Sequence, residues 1–329
     1  MTTLHGGAEV EVLLATFNGE RYLREQVESI LAQEYAGLRV LARDDGSTDG
    51  TRAILEEYAR TSVGRLTVLP ESAPTGSAKG NFERLMEASS GEYVCFADQD
   101  DVWVAGKVRR SMEAMLRLEG VHGRERPLLV FSDLRVVDDG LRVLHDSMWA
   151  RAGIEPESIH RMERLLGQNV VTGCTALVNR RMLELARRMP DEALMHDAWI
   201  GLLAASMGAA AIVREQTVLY RQHERNVIGA AVQDESLRGL AARARESGGR
   251  RMERWKSERQ AEALLRVHGA EMAEGKREVL RAYLRSGRSR SRVERVGTTL
   301  RYGFLRKGLL RNLATLADLW RAPTGESLQ

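Results

Sequence analysis

The sequence of 329 residues is 43% hydrophobic and 29% charged, a balance that excludes an intrinsically disordered chain and favours a soluble globular protein. Its two cysteines, Cys95 and Cys174, are far apart and lack zinc-type spacing, which argues against a disulfide framework or zinc centre and favours a reducing cytosol. The chain starts without signal-peptide features and has no apolar run of about 20 residues, so we expect a cytoplasmic protein that is not integral to a membrane.

Strand and helix signals alternate through the first hundred residues. Short apolar runs predict strands at residues 10–16, 38–42, 66–69 and 92–97. Apolar residues at helical spacing predict helices at 20–33, 51–59 and 81–88. This alternation is typical of an α/β fold with a mostly parallel, Rossmann-like sheet flanked by helices.

The middle of the chain mixes the same signals, and the end does not. Strands are predicted at residues 128–132, 170–178 and 210–213, and helices at 180–188 and 198–207. From about residue 231 the signals are helical and rich in arginine. We therefore predict one α/β domain over residues 1–230 and an Arg-rich helical C-terminal region over residues 231–329.

Polar clusters follow three of the predicted strands. They are Thr-Phe-Asn at 16–18, Asp-Asp at 44–45 and Asp-Gln-Asp-Asp at 98–101. Because ligands bind outside the carboxyl ends of parallel strands, we interpret the three clusters as one site.

The acidic cluster after the fourth strand predicts a metal site. Asp98 and Asp100 can share a hard cation such as Mg²⁺ or Mn²⁺ that keeps open positions for the oxygens of a diphosphate. The alternative is a solvated acidic loop, in which Asp101 caps a helix that begins near Val102.

The Asp44-Asp45-Gly46-Ser47 cluster has two interpretations as well. A carboxylate at a strand end can accept hydrogen bonds from a pyrimidine base or from ribose hydroxyls. Asp, Gly and Ser are equally typical of turns.

Four segments in this order resemble family 2 glycosyltransferases of the GT-A fold, in particular the rhamnosyltransferase-like branch of bacterial surface-polysaccharide enzymes. They are T-F-N-G-E-R-Y-L (16–23), D-D-G-S-T-D-G-T (44–51), G-S-A-K-G-N-F (76–82) and F-A-D-Q-D-D-V-W (96–103). Later matches extend to about residue 230, and the last hundred residues are not covered. The resemblance implies metal-dependent, inverting transfer of a sugar from a nucleotide-sugar to a saccharide or lipid-linked acceptor in cell-surface polysaccharide synthesis.

The resemblance also assigns donor-side roles. It implies that Thr16 and Asn18 lie beside the nucleotide, that Asp45 contacts the base, and that Lys79 lies near base or phosphate.

The metal side is assigned in the same way. Asp98 and Asp100 match the outer residues of the family's D-x-D motif, with Asp100 the more direct metal ligand and Asp98 facing ribose or metal. Some related enzymes place a further ligand where this chain has His223, although a lone histidine is more often structural. Arg221 or Arg225 could instead steady the diphosphate.

On the acceptor side, the family's catalytic base matches Asp197. Independently, a carboxylate there can take the proton of an acceptor hydroxyl, and the alternative is a cap of the helix that follows. Gly173 would let a sugar approach the backbone, or serves only a bend. Trp199 would stack on an acceptor ring, or belongs to the core.

The family's processive synthases typically carry a Q-x-x-R-W string and transmembrane segments, and neither is present, which favours addition of a single sugar. In the tail, residues 295–320 mix apolar and cationic positions that could contact a membrane peripherally. The rest of the tail is expected to cover the core or a partner subunit. No nucleic-acid-binding motif is recognised.

Two other functions fit the sequence less well. A non-catalytic scaffold that binds partners or membrane through its basic tail would not need Asp197 beside the strand-end acids. A nucleotidyltransferase would need a Gly-rich phosphate loop after the first strand, which is absent. The donor stays open between a dTDP-rhamnose-like sugar and a UDP-sugar.

Overall fold

The computed structural model describes residues 8–223 and 247–321, so the domain boundary predicted at residues 230/231 lies outside the described residues. The first four strands are β1 (Val10–Thr16), β2 (Leu38–Asp44), β3 (Leu66–Val68) and β4 (Tyr93–Asp98). They pair in parallel in the order β3-β2-β1-β4. Connecting them are helices α1 (Leu23–Leu31), α2 (Thr51–Thr61) and α3 (Ala78–Ala88).

The sheet continues with strands of mixed direction. The next elements in the chain are β5 (Val102–Trp103), α4 (Lys107–His122), β6 (Leu128–Val137), β7 (Val143–His145), α5 (Met148–Ala152), α6 (Met162–Leu165), β8 (Leu177–Asn179), α7 (Arg180–Ala186), α8 (His196–Met207) and β9 (Ala209–Arg221). Strand β8 is antiparallel to both β4 and β6, whereas β6 and β9 are parallel. The sheet predicted as mostly parallel is therefore parallel in its first half and mixed in its second.

Two predictions about local structure are wrong. The segment predicted as a strand over residues 170–178 contains a short 3-10 turn at Gly173–Thr175, and only its end joins the sheet as β8. Asp101 caps no helix at Val102, because a short strand follows it and α4 begins only at Lys107 after Gly106. Gly106 adopts a positive φ of 75°, the left-handed conformation that glycine adopts most readily.

The C-terminal region is helical, as predicted. It comprises α9 (Ser247–His268), α10 (Glu274–Arg288), α11 (Arg292–Tyr302) and α12 (Leu309–Arg321). Leu264, Leu280 and Tyr283 are almost fully buried and belong to the same core cluster as Trp199 of α8. Because each such side chain contributes about 1.5–3 kcal/mol on burial, α9 and α10 are part of the packed domain. The prediction that most of the tail covers the core is confirmed for these two helices.

None of the helices within residues 8–223 and 247–321 is long and apolar enough to cross a membrane.

Candidate active site

The carboxyl ends of β1, β2 and β4 meet at one edge of the sheet. In the strand register Thr16 lies opposite Asp44, and Ala15 lies opposite Asp98. The three polar clusters that follow these strands are therefore neighbours in space. That they form one ligand site stays a prediction.

The turn after β1 is tied to the turn after β2. Asn18 has a positive φ of 49°, and its side-chain oxygen accepts a hydrogen bond from the backbone N–H of Thr48 at 2.9 Å. Its own N–H donates to Ser47 Oγ at 2.8 Å. The hydroxyl of Thr16 is buried and donates to Asp44 Oδ1 at 3.1 Å. Thr16 and Asn18 thus shape the edge at which they were predicted to meet the nucleotide.

Asp45 is buried, and its carboxylate is held by donors of the protein. Arg43 Nη1 lies 2.6 Å from Oδ1, and both side chains are less than 5% exposed. The backbone N–H groups of Thr75 and Gly76 donate to Asp45 at 2.7 and 2.9 Å. Although burial opposes ionisation, the hydrogen bonds from Thr75 and Arg43 hold the pKa of Asp45 below its usual value. Asp45 therefore orders the loop that contains Thr75, and direct contact with a base stays a prediction.

Lys79 follows that loop, at the start of α3. Its Nζ donates to the backbone carbonyls of Pro190 and Asp191 at 2.9 and 2.8 Å. The lysine thus joins the start of α3 to the segment that precedes α8. Its predicted position near base or phosphate remains a prediction.

The acids after β4 form a cluster in which Asp101 is buried and Asp98 and Asp100 are partly exposed. Burial, with Asp100 and Asp197 as neighbouring negative charges, raises the pKa of Asp98 to about 7. Asp101 is fully buried, and burial together with Asp100 and Asp98 raises its pKa well above the usual range. Ligand atoms of Asp98, Asp101 and Cys174 all lie within 4.8 Å of one another. Acids this close together repel one another, and a cation bound among them would relieve that repulsion.

Asp100 contacts His223, the residue predicted as a further metal ligand, instead of the group formed by Asp98, Asp101 and Cys174. Asp100 Oδ2 and His223 Nε2 are 2.9 Å apart, and both side chains are only 13–16% exposed. The His223 ring also contacts the ring of Tyr22, with centroids 5.0 Å apart. The structure therefore brings His223 to the D-x-D loop from the end of β9, 123 residues away in the chain.

Arg221 holds the loop that contains Asp100 and Asp101 in place. Its side chain is 1% exposed, its Nε donates to the backbone carbonyl of Asp100 at 2.8 Å, and its Nη2 pairs with Glu25 at 2.5 Å. Its guanidinium lies 4.4 Å from the Tyr22 ring centroid, and its backbone N–H donates to Asp101 at 3.2 Å. A guanidinium held in this way positions the acidic loop, so the structure does not support the prediction that Arg221 steadies a diphosphate. Its predicted alternative, Arg225, lies outside the described residues.

A divalent cation fits the residues of this site. Carboxylate oxygens suit Mg²⁺ or Mn²⁺, and burial together with neighbouring carboxylates raises the pKa values of Asp98 and Asp101. Asp100 and His223 offer two adjacent donors, and Asp98 lies with the buried group. Metal binding by Asp98, Asp100 and His223 is tested by none of these contacts and stays a prediction.

Asp197 lies in the first turn of α8, beside the acidic cluster. Its Oδ1 accepts the N–H of Ala198 at 2.6 Å, and it also accepts hydrogen bonds from the N–H of Gly173 and the side chain of Asn169. Burial outweighs these donors and raises the pKa of Asp197 to about 6. A carboxylate with that pKa is ionised at neutral pH and is a stronger base than an ordinary aspartate.

Gly173 has a packing role in addition to its hydrogen bond. A Cβ at this position would lie 2.4 Å from Nε2 of His196. The His196 ring is held against Phe82 and Phe96, with centroids 4.1 and 4.9 Å apart, and burial lowers its pKa to about 3. Gly173 therefore makes room for a neutral histidine directly before Asp197. The approach of a sugar to Gly173 stays a prediction.

The structure corrects the predicted role of Trp199. It is 0% exposed and packs against His268 of α9, with ring centroids 5.8 Å apart. Since no part of the ring reaches the surface, the structure does not support its predicted stacking on an acceptor. Trp199 belongs to the core that joins α8 to the C-terminal region.

Three further residues of the site were not predicted from the sequence. Arg43 compensates Asp45, and Asn169 holds Asp197. Gln99, inside the D-x-D motif, holds the backbone of Phe17. Its Oε1 accepts a hydrogen bond from the Phe17 N–H at 2.7 Å, and its Nε2 donates to the Phe17 carbonyl at 2.9 Å. The middle position of the motif could have suggested Gln99, but only the fold brings the other two to the site.

Comparisons with known proteins agree with this geometry. Residues 11–184 match the family model for Glycosyl transferase family 2. The dTDP-rhamnosyl transferase RfbG of Shigella flexneri is 26% identical over 230 residues, which cover 67% of this chain and 74% of that protein. WfgD of Escherichia coli, a UDP-Glc:alpha-D-GlcNAc-diphosphoundecaprenol beta-1,3-glucosyltransferase, is 31% identical over 108 residues, 33% of this chain and 41% of its own length.

A solved structure extends the similarity to the whole architecture. The mannosyltransferase PcManGT from Pyrobaculum calidifontis, in complex with GDP-Man and Mn²⁺, superposes with a TM-score of 0.50 at 16% identity, covering 96% of this chain and 88% of that chain. At that identity the similarity concerns the fold alone.

Proposed function

Because the chain belongs to glycosyl transferase family 2, we propose that it uses Mg²⁺ or Mn²⁺ to transfer one sugar, with inversion, from a nucleotide-sugar to an acceptor hydroxyl. The sequence-based prediction of the family, the GT-A fold and the enzyme class is confirmed. The chain is a nucleotide-sugar transferase of polysaccharide biosynthesis. The metal, the donor and the residue roles below are our proposal.

The observation that carries the proposal is that two acidic groups near Asp98 have different surroundings. Asp100 is paired with His223 at 2.9 Å. Asp197 approaches from α8, is held by Gly173 and Asn169, and has a pKa of about 6. One group suits a cation and the other suits proton removal, and both interact electrostatically with Asp98.

On the donor side, Thr16, Asn18 and the loop ordered by Asp45 would hold the nucleoside, and Lys79 would lie near base or phosphate. Asp98, Asp100 and His223 would hold the metal. When bound, the cation would neutralise the charge that develops on the departing nucleoside diphosphate.

On the acceptor side, Asp197 would take the proton of the attacking hydroxyl. Its hydrogen bonds from Ala198, Gly173 and Asn169 fix the orientation of the carboxylate, so little reorganisation is needed when the proton moves. Proton transfer to a positioned base typically contributes a factor of about 10²–10⁴ to the rate.

The names of the relatives support the finer details of the substrates. RfbG is a dTDP-rhamnosyl transferase, which favours a dTDP-rhamnose-like donor, and a UDP-sugar is the alternative that WfgD supports. WfgD acts on a sugar linked to diphosphoundecaprenol, which supports a saccharide or lipid-linked acceptor. We place the reaction in the cytoplasm, with peripheral contact at the inner face of the cell membrane through the C-terminal region.

The experiment is hydrolysis of a panel of nucleotide-sugars with Mn²⁺ or Mg²⁺, which needs no acceptor. We expect diphosphate release from one donor, lost with chelator and in Asp100→Ala. The matched control is Asp146→Ala, which removes an exposed aspartate outside the site. Equal turnover by Asp100→Ala and Asp146→Ala, or turnover that survives the chelator, would refute the metal role.

A further inference from the structure

Helix α12 carries an apolar stripe that the described residues leave uncovered. Leu309, Leu313 and Trp320 are 74%, 52% and 47% exposed. Together with Leu316 they are spaced i, i+4, i+7 and i+11, which places all four on one side of the helix. We call these four residues the α12 face. Leu319, on another side of the helix, is 4% exposed, so α12 is packed against the protein rather than detached from it.

The segment that contains the α12 face is rich in basic residues. Residues 289–321 contain eight basic and two acidic residues, of which Arg295 is buried, whereas the whole chain has a net charge of only +3. Arg306 and Lys307 lie just before the helix, separated from it by Gly308, and Arg321 ends it; we call these three cations the basic rim. The ion pairs of Arg306 with Glu253 and of Lys307 with Glu155 are long, 3.7 and 3.8 Å, and exposed. Such pairs contribute little, so the charge of the rim remains available to an anionic partner.

The start of α12 lies beside the acceptor side of the site. Arg164 donates to the carbonyl of Leu305 at 2.9 Å, and Lys307 and Arg306 line a shallow cavity together with Gln168 and Val170. Between those last two residues is Asn169, whose side chain hydrogen-bonds the proposed base. A surface bound to α12 would therefore lie next to the segment that holds Asp197.

We propose that the α12 face and the basic rim dock on an anionic lipid bilayer. Leucine and tryptophan side chains on one side of a helix, with Arg and Lys at its ends, match the apolar and anionic layers of a membrane interface. The inference deepens the proposed function and depends on it for one point: the bilayer presents a lipid-linked acceptor to Asp197. A second copy of the chain would offer the same positive charge, so charge complementarity favours the bilayer.

Flotation of the full chain with phosphatidylcholine vesicles, with and without phosphatidylglycerol, tests the proposal. We expect binding only with phosphatidylglycerol, and weaker binding as salt is raised. Leu309→Ser/Leu313→Ser/Trp320→Ser should lower the partition coefficient at least about tenfold. Arg306→Gln/Lys307→Gln should lower it about tenfold or more, because each cation near an anionic surface contributes about 1 kcal/mol.

The matched control is Val121→Ser/Val143→Ser/Leu144→Ser, which removes three exposed apolar side chains outside the C-terminal region. The control should bind vesicles like the wild type, and all variants should keep donor hydrolysis and thermal stability. Equal vesicle binding by the triple-serine variant of the α12 face and by the control would overturn the proposal. Wild-type binding that does not depend on phosphatidylglycerol would also overturn it. So would a triple-serine variant of the α12 face whose only change is loss of self-association in sedimentation.

The two proposals fail separately. Donor hydrolysis without vesicle binding would refute docking and leave the proposed function intact. Phosphatidylglycerol-dependent binding without hydrolysis of any donor would refute the proposed function and leave docking intact.

Discussion

Replacing the proposed base by its uncharged isostere, Asp197→Asn, should abolish sugar transfer and stabilise the protein. Burial raises the pKa of Asp197 from 3.8 to about 6, so the ionised carboxylate is less favourable in the folded state than in the unfolded one. At 1.36 kcal/mol per pH unit, the difference between 6 and 3.8 corresponds to about 3 kcal/mol. Asparagine removes that cost but fits the donors Ala198 and Gly173 less well, which leaves a net gain of about 1–2 kcal/mol.

The gain should depend on pH in a defined direction. Because the pKa in the folded state lies above the value in the unfolded state, the cost of Asp197 is fully present above about pH 6. It should shrink as the pH falls through 6 towards 3.8. Thermal unfolding at neutral pH should therefore show a melting temperature about 2–6 °C higher for the variant, and the difference should fade in acid.

Asp49→Asn is the matched control, with the opposite sign. Although burial opposes ionisation of Asp49, hydrogen bonds from Thr51 and Glu20 hold its pKa below the usual value. Its replacement should therefore destabilise the protein at neutral pH. An Asp197→Asn variant that is less stable than wild type at neutral pH, independently of pH, would refute this reasoning.

The activity of the same variant tests the catalytic role. Loss of a general base should lower transfer about 10²–10⁴-fold while acceptor-independent donor hydrolysis persists. In the wild type, kcat/KM should decline as the pH falls below about 6, since Asp197 is then protonated. Transfer by Asp197→Asn at more than a tenth of the wild-type rate would exclude Asp197 as the base.

Three further perturbations probe the support of the site. Arg221→Gln should weaken Mn²⁺ binding about tenfold in electron paramagnetic resonance titrations, because the carbonyl of Asp100 loses its donor, and an unchanged affinity would contradict a positioning role. Gly173→Ala should cost about 1–3 kcal/mol in denaturant unfolding, because its Cβ would lie 2.4 Å from His196. His196→Ala in the same chain should restore part of that loss, and strict additivity would show that the two sites are not in contact. Arg43→Met should cost about 3–5 kcal/mol, because it leaves a buried carboxylate without its cation; a loss below about 1 kcal/mol would show that the pair is not effectively buried.

Much of the first half of the fold was readable in the sequence, since its signals are local. Strand β1 was predicted with its observed limits, because an uninterrupted apolar run between polar segments has few alternatives. The same is true of helix α1: Leu23, Val27 and Ile30 recur at helical spacing and are buried, together with Gln26. The strand-end clusters followed from the alternation of elements, since parallel strands bring their carboxyl ends to one edge.

The errors fall where neighbours distant in the chain decide the outcome. The apolar run at 170–178 looks like a strand, but residues 169–173 instead turn to hold Asp197, and only Leu177–Asn179 pairs in the sheet. Trp199 was compatible with an acceptor site or with the core, and α9, which follows it by about fifty residues, covers it through His268.

The sequence by itself determined the family, the order of the elements and the identity of the acidic groups. These features depend on periodicity and motif spacing, which involve only residues close together in the chain. Only the tertiary structure decided the roles of Arg43, Asn169 and Arg221, because a buried polar group is defined by the partners that satisfy it. Asn169 and Arg221 reach partners 28 and 121 residues away, and Arg43, which pairs locally with Asp45, also donates to Asn81, 38 residues away. The same is true of the exposed side of α12, since an amphipathic pattern specifies an apolar face but not whether the protein covers it.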